Sequence, residues 1–115
     1  MSSKYVNAET SDHAARMLRI RGTGATASVV GSWERGLRVD IPAAAPVPRH
    51  DEARYDAQSD VVVFRRGDTL RTCYGLSPEH VTNIHGVAVA LAVDEQHGTQ
   101  YAPRIDPEKL ELVDL

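Results

Sequence analysis

Asp60-Val61-Val62-Val63-Phe64-Arg65-Arg66-Gly67-Asp68-Thr69-Leu70-Arg71-Thr72-Cys73-Tyr74 is the stretch that decides the fold. Residues 60–66 and 69–74 are rich in β-branched and aromatic side chains, and Arg66-Gly67-Asp68 between them is a turn signal. A glycine at a tight turn takes the positive φ that hairpins need, so the two runs read as antiparallel strands. Side chains alternate along a strand. Val62 and Phe64 therefore share a face, and so do Thr72 and Tyr74. Cys73 points the other way, which reads as a small buried thiol rather than a nucleophile. Arg71 falls on the Cys73 face unless a bulge intervenes.

Upstream of the hairpin the pattern is helical. Ser11 is a good N-cap, Asp12 suits the positive end of a helix, and Ala14, Met17 and Leu18 form one apolar stripe. Gly22-Thr23-Gly24 ends that helix. A second helix is expected over 26–35, where Val29, Val30 and Trp33 keep the period and Gly36 stops it. Trp33 reads as a core anchor, sharing one core with Val30, Val62 and Phe64. Residues 37–41 alternate as a short strand. Residues 42–59 hold three prolines, five alanines and many charges, and are expected to form a long loop. Residues 1–10 are polar and read as a loose N-terminus.

Downstream, Ser77-Pro78-Glu79-His80 starts a short helix or turn. The continuous apolar run 86–93 reads as a buried strand, with a turn at Asp94 to Gly98 and a return over 99–102. Asp106-Pro107-Glu108 is a good helix start, but the leucines after it settle no period. Helices followed by strands give a single α+β domain over 1–115: two N-terminal helices packed on a mainly antiparallel β-sheet.

Charge is unevenly spread. The net charge is −3, but residues 1–72 carry eleven basic and nine acidic side chains, whereas 73–115 carry two and seven. A polyanion would meet the first part. A single cysteine fits a reducing compartment, and Met1 to Asn7 lacks an apolar leader, so a cytoplasmic location with no membrane contact is expected. The abundance of arginine and alanine fits a GC-rich bacterial, archaeal or phage genome.

The five histidines, His13, His50, His80, His85 and His97, show no zinc-site spacing. His50-Asp51-Glu52 reads as a solvated charge cluster. No metal and no cofactor is expected. Acid–base chemistry on RNA is the option the residues support. Cleavage by a 2′-hydroxyl needs a base, a cation for the crowded phosphate and an acid for the leaving oxygen. His13 titrates near neutrality and sits at a helix start whose dipole favours its neutral form, which suits a base. Tyr74 or His80 would then supply the acid. Arg21 and Arg71 are phosphate clamps, since guanidinium forks match phosphate oxygens. Thr72 and Tyr74 would orient the phosphate. Each arginine taken alone also reads as a solvated surface charge.

His13-Ala14, then Arg21-Gly22, then Thr72-Cys73-Tyr74 closing a hairpin, resembles the small toxins of the barnase–colicin–RelE ribonuclease superfamily over residues 11–76. The resemblance implies one or two helices before an antiparallel sheet. It also implies metal-independent endoribonuclease activity from His, Arg, Thr or Tyr of the first helix and the sheet. The chain departs from the pattern at Met17, where an arginine is usual, and at Thr23, where an aliphatic residue is usual. About forty residues follow the expected end. These departures leave room for a degenerate, non-catalytic relative. RNA is the partner in the enzymatic reading, and an antitoxin or host protein in the binding reading. An exposed edge strand offers a route to a homodimer.

Two other readings compete. Residues 61–113 also fit a small SH3-like barrel, an interaction module of the kind a phage or mobile element encodes to modulate a host protein. Residues 12–35 with 60–74 fit a winged helix-turn-helix. The second helix of that arrangement offers almost no side chains to read base edges.

Overall fold

The computed structural model describes residues 9–10, 29–45, 47, 49–81 and 83–110. The helix expected over 11–21, with His13 and Arg21, lies outside the described residues.

Five strands form one sheet: β1 (Glu9–Thr10), β2 (Leu37–Val39), β3 (Glu52–Asp56), β4 (Val61–Arg66) and β5 (Thr69–Gly75). Their order is β1-β5-β4-β3-β2, with β1 parallel to β5 and the other neighbours antiparallel. The expected hairpin is the centre of this sheet. Arg66 pairs with Thr69, and Gly67 turns the chain at φ +60°, a conformation that favours glycine.

Helix α1 (Val29–Arg35) covers one face of the sheet. Val29 and Trp33 pack there with Val61, Val63, Leu70 and Cys73. Helix α2 (Ile84–His97) covers the other face. Val89, Ala90, Ala92 and Val93 meet Val39, Ala53, Tyr55, Val62, Phe64 and Leu76. Val61 to Phe64 are therefore all buried, because β4 is covered on both sides. Val62 and Phe64 are core residues as expected, but in the core opposite Trp33. The expectation of one shared core is corrected: the period-2 rule that pairs Val62 with Phe64 also places Val61 and Val63 beneath α1.

Among the described α-helices only α1 precedes the antiparallel strands β2 to β5, so the picture of two N-terminal helices on one face is corrected as well. The second described helix follows the sheet. It occupies the run 86–93 expected as a strand, and with that strand the barrel reading of 61–113 is lost. A short apolar run cannot by itself separate a strand from a buried helix. Three alanines within it favour helix. The ends decide it: the Asn83 side chain accepts from the backbone N–H of His85 and Gly86, and Gly98 closes the helix at φ +68°.

The expected loop over 42–59 is shorter than its proline content suggests, since β3 lies inside it. Ala53 and Tyr55 face α2, while Glu52, Arg54 and Asp56 alternate to the other side, and three register pairs bind β3 to β2. Beyond α2 the chain makes two 3₁₀ turns, Ala102–Arg104 and Pro107–Lys109. There the return strand expected over 99–102 is absent. Asp94 takes its place as a hub, accepting from the Thr99 hydroxyl and the Tyr101 and Ala102 N–H groups. Gln96 ties α2 to the sheet edge. It accepts from the Asp40 N–H and donates to the Asp40 carbonyl. No described helix is long and apolar enough to cross a membrane.

Candidate functional site

The hairpin that fixes the fold also carries the chemistry. Phe64 pairs with Thr72 and Val62 with Tyr74, so Thr72 and Tyr74 share the α2 side of the sheet. The register then slips by one: Arg65 pairs with Leu70, leaving Arg71 as an extra residue. This is a β-bulge, a device that re-aims side chains. The strict alternation that sets Arg71 against Thr72 and Tyr74 does not hold here. Arg71 is exposed, Thr72 is buried and Tyr74 is half-buried. Thr72 and Tyr74 are thus brought together by the strand, and Arg71 is the extra residue of the bulge that adjoins Thr72.

Phe64 organises what surrounds this pair. The Tyr74 ring meets it edge-on, with centroids 5.4 Å apart. On its other flank the His50 imidazole meets Phe64 at 4.7 Å, also near perpendicular. His50 lies just ahead of β3, where the Asp51 N–H donates to the Arg65 carbonyl and extends the ladder. An open cavity of about 520 Å³ lies beyond it, walled by Ile41, Ala43, Val47, Arg49 and His50. His50 is the residue that sequence reasoning passed over. Its neighbours Asp51 and Glu52 turn elsewhere: Asp51 accepts from the Gly67 N–H at 2.6 Å, and Glu52 accepts from Arg54.

His80 closes the 3₁₀ turn Pro78–His80, past the end of β5 remote from the hairpin turn. His13 and Arg21 lie outside the described residues, so their distance from Tyr74 is not part of this geometry.

The opposite face of the sheet holds the site from beneath. Glu52 accepts from Arg54 at 2.6 Å and from Arg65 at 3.5 Å. Burial works to raise its pKa, but the hydrogen bonds and charges of the two arginines outweigh it and hold the carboxyl below its ordinary range. Asp56 is likewise held low: burial is outweighed by Arg35, Ser32 and Ser59. At the far end of the sheet, Tyr101 donates to Asp60 at 2.6 Å and lies 2.8 Å from the Tyr55 hydroxyl. Burial and then the bond to Asp60 push the Tyr101 phenol far above its ordinary range, so it stays a neutral donor. These contacts fix β3 and α2 and leave the hairpin end of the α2 face as the candidate site.

The family model Halo_toxin, "Putative RelE superfamily toxin domain", matches residues 10–77. No curated protein and no solved structure gives a significant match. The matched segment runs from β1 through β5 and contains Arg71, Thr72 and Tyr74, while α2 lies beyond it. Since the match covers more than half of its length, the chain belongs to the Halo_toxin family of RelE-superfamily toxin domains.

Proposed function

We propose that this toxin domain is a metal-independent endoribonuclease acting in the cytoplasm, with RNA as substrate and an antitoxin protein as its natural partner. The observation that carries the reading is the bulge at Arg71. It breaks the alternation that would set a guanidinium against the strand face of Thr72 and Tyr74, and these are residue types that phosphate chemistry uses. Arg71, with Arg21 from the segment ahead of α1, would neutralise charge building on the phosphate. Tyr74 would orient the phosphate or protonate the leaving oxygen. Thr72, a buried residue, would position its neighbours. His13 would take the proton of the 2′-hydroxyl, and His80 is the reserve acid.

The test is incubation of the purified protein with total RNA in the presence of a chelator. Wild type is expected to cleave, and Tyr74→Phe and His13→Ala to lose about 10²–10⁴ in rate while remaining folded. No cleavage by wild type defeats the enzymatic reading. One feature favours a non-catalytic binder in that event: Ile84 and Leu91, seven residues apart on α2, are 47% and 55% exposed, and side chains so spaced share one helix face. Capture of a stable protein partner, lost in Leu91→Asp, would establish that reading.

A further inference from the structure

The cavity beside His50 has a use of its own. We propose that it is a base pocket: it takes a purine of single-stranded RNA next to the scissile phosphate and sets where the strand is cut. This rests on the ribonuclease reading for its substrate, but not on any residue assigned there to catalysis.

Size comes first. A volume of about 520 Å³ lies in the range of small-molecule pockets. The walls come next. Ile41 and Val47, half-buried and packed on the core under α2, form an apolar side. His50 supplies an aromatic side. His50 lines the cavity, and its ring stands near perpendicular to Phe64. Arg49, exposed at the rim, adds a fork of donors that matches the acceptor pair O6 and N7 of guanine, or a neighbouring phosphate. An apolar wall, a flat ring and a guanidinium are what unstacked RNA bases are held by.

Position completes the argument. His50 and Tyr74 touch the same Phe64 ring from different sides. A nucleotide seated against His50 therefore leads its backbone toward Tyr74 and the bulge. Stacking strength favours the larger purine face.

The test uses short single-stranded RNA carrying 2′-deoxy sugars, which cannot be cut, so binding is read apart from cleavage. Wild type is expected to bind purine-containing strands more tightly than all-pyrimidine ones. Replacing His50 by alanine (His50→Ala) should weaken purine strands about tenfold and level the preference. His50→Phe should keep both, since it keeps the ring. Ala45 also lines the cavity, so Ala45→Leu, which narrows it and keeps the ring, should act like His50→Ala and keeps the test intact if that variant does not fold. Cleavage by wild type together with unchanged binding and preference in both variants overturns the pocket and spares the ribonuclease reading. The reverse, base-selective binding that both variants abolish but no cleavage of total RNA, sinks the ribonuclease reading and keeps the pocket. Absence of any purine preference in wild type overturns the pocket.

Discussion

The guanidinium carbon of Arg54 lies 4.2 Å from the centroid of the Trp33 indole, and Arg54 Nη1 donates to the Trp33 carbonyl at 3.1 Å. Arg65 approaches the same ring at 5.9 Å. Glu52 joins the two arginines from below and neutralises part of their charge. A tryptophan with no exposed surface is thus clamped to a strand of alternating charge. This contact docks α1 on β3 and β4, on the face of the sheet opposite α2.

Arg54→Ala should therefore destabilise the fold by about 1–3 kcal/mol, through the lost cation–π contact, the lost bond to Trp33 and an unbalanced Glu52. Arg54→Lys should recover little, since an ammonium cannot stack as a plane. Urea denaturation followed by Trp33 fluorescence measures both. A lysine variant as stable as wild type would show that charge alone matters.

Stability should fall in acid, with a sign that follows from three carboxyls. Glu52, Asp56 and Asp94 are all held below their ordinary values in the folded chain; for Asp94 burial is outweighed by the Thr99 hydroxyl, the Ala102 and Tyr101 N–H groups and Arg104. Between the lowered folded values and the unfolded values near 4, the unfolded state binds more protons, so stability rises with pH. It is fully present above about pH 5 and is lost as pH falls through the folded values. Urea midpoints should be level from pH 6 to 7 and drop steeply below about pH 4, and Asp56→Asn should flatten the drop. A midpoint unchanged at pH 3 would contradict these assignments.

The hairpin was legible because its signals are local: β-branched runs, a turn glycine and a period of two. The faces were less so. Four consecutive apolar residues, Val61 to Phe64, signal a strand covered on both sides, yet the alternation of its partners suggests a single core. The run 86–93 hides its helix because a wholly apolar stretch has no period. The signals that settle it, Asn83 and Gly98, sit outside the run. In β3 the charged–apolar alternation of Glu52 to Asp56 was present but lay downstream of a proline-rich stretch. Of the candidate site, Thr72 and Tyr74 could be paired from sequence. The bulge at Arg71 leaves no local trace, and His50 gains meaning only by meeting Phe64 across the sheet.

The ends of α2 should report on its docking. Asn83→Ala removes the side chain that satisfies two N-terminal N–H groups and should cost about 1 kcal/mol. Gly98→Ala places a side chain at φ +68° and should cost about as much. The sites lie at opposite helix ends and share no contact, so the double variant should lose the sum. A double variant with no greater loss than either single one would mean that α2 frays as a unit.

The bulge gives the sharpest functional prediction. Arg71 is exposed, so Arg71→Ala should change stability by no more than about 0.5 kcal/mol. Its loss should nonetheless cut RNA cleavage by about 10²-fold or more, the scale on which a positioned charge stabilises a transition state. Arg71→Lys should recover part of the rate, because a point charge lacks the fork. Deleting Arg71 outright goes further. Leu70 then adjoins Thr72, the ladder becomes regular, and both keep the faces they already occupy, Leu70 toward Trp33 and Thr72 toward Phe64. The deletion should fold, keep its urea midpoint close to wild type and remain as inactive as Arg71→Ala. If it cleaves RNA as wild type does, the bulge is a feature of the strand alone and the phosphate is held by other cations.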